Sequence, residues 1–409
     1  MTKDSGSGLG TRPAGESLGE RIAHLRLRTG MTQTGLASRA GVSVDVIRKL
    51  EQGQRHTVSI PNLHKLARAL DVDAGTLLSK PHQLPVDDDM SGAVIIRRTL
   101  TSIDDLIDDD PGIEPITIDE VKRTVTYGWG SYWAGRFDQL GQLLPTAIGQ
   151  ARATLRAARA DDRADASDLT ARVLQLAACT LVQLGYTDIA HLALREALGH
   201  AANGSDPLRV QALRGSLAWV LLVEGRFFES GRVAASSAAA ITPDNSSPMV
   251  AWSLYGSLLL SSATAAGRAG DRAGALALVD EAEVVAGRTG NRNDYETAFG
   301  PHQVGMQRVD VETVTEHFTA ALTAGRAVPR DSSLPLAARA RHLSDIALAH
   351  TRLGHDGDAV EVLDAMVTMA PAWTRYQEQP KMIYRELRER VSHPPRLARV
   401  GRKLGVTSV

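Results

Sequence analysis

The sequence predicts an all-α protein in which a bundle of short helices precedes a long array of helix pairs. In the first 80 residues, serines and threonines that can cap helices precede short segments whose apolar residues recur at helical spacing. Farther along, segments rich in alanine, leucine and arginine alternate with glycine turns at intervals of 40 to 50 residues. Such a period is typical of an α-solenoid.

Length and composition narrow the class of protein. The chain has 409 residues, enough for two or three domains, and a formal net charge of −1. Any surface that binds nucleic acid must therefore be local. A single cysteine permits no intramolecular disulfide, and the N-terminus lacks the apolar segment of a signal peptide. We expect a cytoplasmic protein that does not bind a membrane.

Five short helices are predicted between Ser17 and Lys80. Ser17 and Glu20 form a capping box that begins the first helix, and Gly30 follows its end. Thr32 caps the second helix, which continues to Ala40. The other three are expected between Ser43 and Gly53, from Ile60 to Leu70, and around Ala74 to Leu78.

Charge divides the first part of the chain. Residues 17–80 carry ten lysines and arginines against five acidic residues, a net charge of +5. The segment that follows, 81–118, is rich in aspartate and proline, so we expect a linker with one short structured piece around Ala93 to Leu106. Residues 1–16 are expected to be a disordered tail. No aromatic residue precedes Tyr127, which favours double-stranded DNA over single strands for the basic segment.

The third short helix has two different faces. Val46, Ile47 and Leu50 share the side that can pack against the other helices. The opposite side is free to contact another molecule, and with its flanks it comprises Val44, Asp45, Arg48, Lys49 and Gln52.

Nearly all of residues 17–80 resembles the DNA-binding domain of the xenobiotic-response-element (XRE) family, also called Cro/C1-type helix-turn-helix proteins. The matching positions are Thr32-Gln33-x-x-Leu36-Ala37-x-x-Ala40-Gly41-Val42-Ser43, Ile47-x-x-Leu50-Glu51-x-Gly53 and Leu63-x-x-Leu66-Ala67-x-Ala69-Leu70. Gly35 and Thr57 depart from the family, which usually has Glu and often Pro there. The loss of Glu at position 35 removes a capping box from the second helix.

The resemblance implies a role for each polar residue of this motif. Gln33 would bond a DNA phosphate, and the residues after Ser43 would reach base edges in the major groove. Val44 would contact a thymine methyl, Asp45 would accept from cytosine N4, and Arg48 and Lys49 would reach guanine or phosphate. Gln52 lies on the same face, and Arg55 would contact the backbone. Outside such a motif, a basic cluster is more often a solvated face.

From residue 119 to 395 the chain predicts a repeat domain. Its turn glycines are separated by 50, 40, 45 and 84 residues, and they are Gly135, Gly185, Gly225, Gly270 and Gly354. The longest interval is close to two units, so Val309-Asp310-Val311 is predicted to be a weakened junction inside it. The units resemble tetratricopeptide repeats, although they exceed the ~34-residue standard. Together with the first domain, they resemble actinobacterial XRE–tetratricopeptide regulators and, more distantly, peptide-sensing regulators.

The inner surface of a solenoid is where peptides or small molecules bind. Trp252 and Tyr255 share a helix face, although aromatic residues in such arrays usually fill cores. The predicted pocket for a small-molecule or peptide effector comprises Trp219, Trp252, Tyr255, Asn291, Asn293, His302 and Gln303.

The C-terminal part is basic from Lys381 to Lys403, which favours a capping helix with a solvated face over a second phosphate contact. Residues 396–409 are expected to be a basic tail. The twelve histidines form no H-E-x-x-H motif, and we expect neither a cofactor or metal nor an enzyme.

Three functions fit these features. The first is a homodimeric regulator of transcription that binds double-stranded DNA and senses an effector. The second is an adaptor whose repeats recruit a protein partner, and the third is a repressor without an effector whose repeats serve only dimerisation.

Overall fold

The computed structural model describes residues 17–55, 58–72, 77, 91–103, 112–329, 332, 334–390 and 395–406. Two compact units divide the chain, residues 1–82 and 83–409. Every regular element in the described ranges is a helix, which confirms the predicted all-α fold.

The first unit is a bundle of short helices around one apolar cluster. Its described helices are α1 (Leu18–Arg28), α2 (Gln33–Ala40), α3 (Val44–Glu51) and α4 (Ile60–Ala69). The predicted fifth helix lies outside the described residues except for Leu77, which is buried in the same cluster as Ile22, Leu36, Ile47 and Leu66.

The caps of these helices follow the sequence. Ser17 and Glu20 form the complete predicted capping box on α1. The Thr32 hydroxyl accepts from the backbone N–H of Gly35 at 3.0 Å on α2, without a reciprocal bond because Gly35 has no side chain. Gly41 ends α2 in the left-handed conformation, with φ of 62°.

We expect Gly35→Ala to stabilise α2 by about 1 kcal/mol, since glycine is the poorer helix former in a helix interior. An added Cβ would meet only the Thr32 Oγ1, at 3.2 Å. The matched control is Gly41→Ala, which places a side chain at a positive φ and should destabilise the unit. Amide hydrogen exchange of the full chain, followed at α2, measures both changes. Equal effects of the two substitutions would contradict the assignment.

The second unit is a series of helix pairs. In chain order its elements are α5 (Ser91–Leu100), α6 (Ile118–Trp133), α7 (Phe137–Ala157), a 3₁₀ turn (Ala160–Asp162), α8 (Arg163–Gln183), α9 (Thr187–Ala201), α10 (Arg209–Val223), α11 (Phe227–Ile241), α12 (Met249–Ala269), α13 (Arg272–Thr289), a 3₁₀ turn (Asp294–Glu296), α14 (Pro301–Val314), α15 (Phe318–Gly325), α16 (Leu336–Arg352), α17 (Asp356–Met369), α18 (Pro371–Thr374), α19 (Glu378–Arg390) and α20 (Pro395–Lys403).

The same turn joins the two helices of each pair. A residue in the left-handed conformation follows the first helix, and the next N–H donates to a carbonyl five residues back, as in the Schellman motif. At the α6/α7 junction, Gly135 has φ of 72° and Arg136 N donates to Ser131 O at 3.0 Å. The same arrangement recurs at Gly185, Gly225, Gly270 and Gly354.

One predicted junction is wrong. Val309, Asp310 and Val311 are buried within α14 and form no turn. The turn lies instead at Glu316, where φ is 65° and His317 N donates to Glu312 O at 2.8 Å. A glutamate occupies the position that glycine holds in the other pairs, so the glycine pattern could not locate it.

The predicted linker is also partly structured. Within the segment 81–118, Ser91–Leu100 forms α5, and Ile96 and Leu100 belong to the main core of the repeat unit. Its backbone lies so close to α7 that a Cβ on Gly92 would be 2.8 Å from the Cα of Gly141. Glycine at both positions permits this contact, and 91–103 is therefore part of the repeat unit.

The C-terminal segment is helical as well. Residues 395–403 form α20, whose Leu397 and Val400 are buried in the main core, so the predicted basic tail is a packed helix for most of its length. Its basic residues face acidic residues of α17, as in the ion pair between Arg399 and Asp364. These contacts fit the predicted capping helix.

One described helix, Met249–Ala269, is long and apolar enough to cross a membrane. More than half of its most apolar window, 56%, is buried inside the protein, as expected for a core helix of the array.

Candidate nucleic-acid interface

The packing of α3 against the bundle determines which of its faces is exposed. Ser43 caps its first turn by accepting from Asp45 N at 3.2 Å. Ile47 and Leu50 are fully buried beneath it. At its end the backbone touches α1, because a Cβ on Gly19 would lie 1.8 Å from the carbonyl oxygen of Leu50. The helix is therefore held at both ends.

A buried ion pair also connects α1 to the end of α3. The Arg26 guanidinium donates to both carboxylate oxygens of Glu51, from Nε at 2.7 Å and from Nη2 at 2.8 Å. Its third nitrogen donates to Met31 O at 2.8 Å. The side chains are only 11% and 7% exposed, which places this pair in the interior.

Gln33 joins the same network from the beginning of α2. Its Nε2 donates to Glu51 Oε2 at 2.8 Å, so the residue expected to bond a phosphate has one amide proton engaged inside the protein. Burial opposes ionisation of Glu51, but the bonds from Arg26 and Gln33 outweigh it and hold the pKa of this carboxyl below its ordinary value. The network thus ties both helices of the motif to α1.

The outer side of α3 presents one acidic and two basic side chains. Lys49 Nζ lies 2.8 Å from Asp45 Oδ2, and Arg48 Nη1 lies 3.6 Å from Asp45 Oδ1. All three side chains are about half exposed, at 51–53%. The hydrogen bond and charge of Lys49, followed by the charge of Arg48, lower the pKa of Asp45. Such exposed pairs add little to stability, so these charges remain available for a ligand.

The structure brings the remaining predicted DNA-binding residues to the same end of the unit. Ser43 and Gln52 are exposed at the two ends of α3, and Val44 is half-buried beside Asp45. The backbone N–H of Arg55 donates to Lys49 O at 2.9 Å, which fixes the loop after the helix.

The residues predicted to line an effector pocket lie in separate places. Trp219 packs against the main core. Trp252 and Tyr255 form an edge-to-face pair at 6.5 Å in another apolar cluster, with the Arg288 guanidinium 4.2 Å from the Trp252 ring centre. Tyr255 donates to Glu281 at 2.5 Å.

The polar members of that predicted pocket build the loop between α13 and α14. Asn293 Oδ1 accepts from Ala298 N at 2.9 Å, and Asn291 Oδ1 accepts from His302 N at 3.2 Å. The His302 ring contacts Ser332 Oγ at 3.1 Å. Gln303 Oε1 is buried without a hydrogen-bond partner among the described residues. The asparagine oxygens are therefore used within the protein.

Sequence reasoning missed the Arg26–Glu51–Gln33 network. Glu51 and Gln33 belong to the recognised pattern, but nothing in their spacing shows that α1 supplies the arginine.

Comparison with known proteins identifies the first unit. Residues 17–79 match the family model described as "Helix-turn-helix domain". The chain is also 31% identical over 87 residues to the HTH-type transcriptional regulator SinR of Bacillus subtilis (strain 168), an alignment that spans 21% of this chain and 78% of SinR. The chain belongs to the family of helix-turn-helix transcriptional regulators. Among solved structures, the regulator is similar to PlcR of Bacillus thuringiensis, solved in complex with the peptide PapR7 and DNA, with 12% identity and a TM-score of 0.37 over 76% of this chain and 95% of PlcR.

Proposed function

We propose that the regulator binds specific sequences of double-stranded DNA through the outer side of α3. The observation that supports this most directly is the position of the basic pair: Arg48 and Lys49 are exposed together on a two-turn helix whose other side is fully buried. A helix held in this way fits the major groove, where Arg and Lys read guanine and a carboxylate reads cytosine N4.

The rest of the proposal concerns the repeat unit. We infer that it resembles tetratricopeptide arrays in function, that it senses a small molecule or peptide and that it mediates homodimerisation in the cytoplasm. Two copies of α3 would then reach major grooves about one helical turn apart on an inverted repeat. An effector acts only if it binds two arrangements of the dimer with different affinity.

Footprinting of random-sequence duplexes by the purified full-length chain tests the proposal. We expect a compact protected site with two related half-sites, without added protein. Specificity that appears only in the presence of a second protein would favour an adaptor instead.

Asp45→Asn should strengthen binding to all duplexes and reduce sequence preference. The substitution removes a carboxylate that repels phosphates and pairs with Lys49 and Arg48. A unit charge at a contact in water is worth about 1 kcal/mol, or roughly five-fold in affinity. Asp188→Asn, the same change at an exposed residue of the repeat unit, is the control. Binding constants at one fixed salt concentration measure both; weaker binding to every duplex after Asp45→Asn would contradict this role.

A further inference from the structure

The loop between α13 and α14 is closed at its base. Gly290 and Gly300 flank it with φ of 64° and 141°. Arg292 and Phe299 form an antiparallel bridge, with N···O distances of 2.7 Å and 2.9 Å between their backbones. A Cβ on Gly300 would lie 2.5 Å from Gly290 O, so the closure requires glycine there.

Inside this bridge the backbone is strained. Tyr295, Glu296 and Ala298 all have positive φ, at 52°, 62° and 49°. Side chains other than glycine rarely adopt this region, and a run of such residues persists only where surrounding contacts impose it.

The contacts that impose this conformation come from the first helices of other pairs. Glu296 Oε1 accepts from Arg172 Nη2 of α8 at 3.2 Å. Tyr295 donates to Asp206 at 2.6 Å, just before α10, and the Arg209 guanidinium lies 4.6 Å from the Tyr295 ring centre.

Apolar contacts continue along the same layer. The Phe299 ring fills the space at Gly256 of α12, where a Cβ would come within 2.1 Å of it. Ala298 belongs to a cluster with Met306 of α14, against which Trp133 of α6 packs. The loop therefore lies across the first helices of five pairs, the layer that forms the binding surface in α-solenoids.

Arg172 and Arg209 provide more donor capacity than the loop uses. Their side chains are 20% and 10% exposed, and in both the Nε is buried without a hydrogen-bond partner among the described residues. Burial, and then the positive charge of Arg172 against the attraction of Asp206, lower the pKa of Arg209. Two guanidinium groups that repel each other in a partly dry site favour an anionic ligand, and carboxylate matches their fork geometry.

We propose that Arg172 and Arg209 form a carboxylate-binding site for an acidic peptide, and that residues 291–299 occupy this site from within the chain until the peptide displaces them. A peptide fits better than a small acid because the present occupant is itself a peptide segment with an acidic, an aromatic and a small residue in contact. Release of the strained backbone would assist the exchange. The inference deepens the effector-sensing function proposed above and rests on it.

Binding of a synthetic peptide with the sequence of residues 294–299, Asp-Tyr-Glu-Thr-Ala-Phe, to the full-length protein tests the site. We expect Glu296→Gln to bind this peptide at least ten-fold more tightly than the unmodified chain, because its own loop loses the ionic contact. A peptide with Gln in place of Glu should bind at least ten-fold more weakly. Adding Arg172→Gln to Glu296→Gln should abolish the gain, and Glu361→Gln, at an exposed glutamate, should leave affinity unchanged.

Equal affinity for the Glu and Gln peptides, or no gain in Glu296→Gln, would overturn the proposal. A second measurement does not depend on the folding of a variant: amide hydrogen exchange of residues 292–299 in the unmodified chain. A tethered segment acts at an effective concentration of the order of millimolar, so a few millimolar peptide should release the loop and accelerate exchange. Unchanged exchange with peptide would also overturn it. Neither experiment contains DNA, so loss of duplex preference would affect the DNA-binding proposal alone.

Discussion

Replacing Glu51 by alanine is expected to lower the free energy of opening of the helix-turn-helix unit by about 3–5 kcal/mol. The carboxylate accepts two bonds from Arg26 and one from Gln33 in the interior. Its removal leaves a guanidinium buried without its counter-charge, and the loss of a partner costs more than the pair contributes. Because α3 ends at Glu51, the DNA-binding helix should lose its fixed position as well.

Amide hydrogen exchange of the full chain, followed at α1 to α3, measures this opening free energy. Glu20→Ala is the control, since it removes an acidic residue of the same unit that is exposed and belongs to a capping box. It should cost about 1 kcal/mol. A loss below this value in Glu51→Ala would show that the buried pair does not hold the unit together.

The same network predicts sensitivity to acid. The pKa of Glu51 is lower in the folded unit than its ordinary value of 4.5, so its stabilising effect is complete above pH 4.5 and disappears as the pH falls through the folded pKa. Glu51→Gln should remove this part of the acid dependence.

The second large effect is expected from the paired substitution Arg48→Ala and Lys49→Ala, which should weaken binding to the preferred duplex by about 2–6 kcal/mol if each residue contributes ~1–3 kcal/mol. Both side chains are about half exposed and their only printed partner is Asp45, so the fold should persist. Affinity for preferred and scrambled duplexes at matched salt, with a circular dichroism check of helix content, measures the change.

A matched control removes two charges from α4 in the same unit. Lys65 and Arg68 are exposed there, and their replacement by alanine lowers the net charge equally. It should weaken binding to both duplexes alike, through phosphates alone. If both double variants had the same effect, α3 would have no special role in reading sequence.

Local chemistry explains why much of the fold could be predicted. Ser17, Thr32 and Ser43 cap the helices they precede, because their hydroxyls bond backbone donors within the same turn. Glycines end first helices where a positive φ is required. Glu316 shows the limit of this rule, because packing imposed a left-handed conformation on a residue that sequence patterns do not associate with it.

The candidate sites depend more on contacts distant in sequence. The exposed face of α3 follows from helical periodicity and was predictable. The Arg26–Glu51 pair joins residues 25 positions apart, and the Arg172–Glu296 pair joins residues 124 positions apart. No local pattern contains either, and Asn291 and Asn293, which sequence composition suggested for a ligand, hold the loop instead.

Selection of bound duplexes from a random pool, by the full-length chain and by Arg48→Ala, tests most directly whether the outer side of α3 reads DNA. The account predicts one enriched inverted-repeat sequence for the unmodified chain, with preference lost at one base position of each half-site in the variant. No enrichment by the unmodified chain, or the same sequence enriched by both proteins, would contradict it.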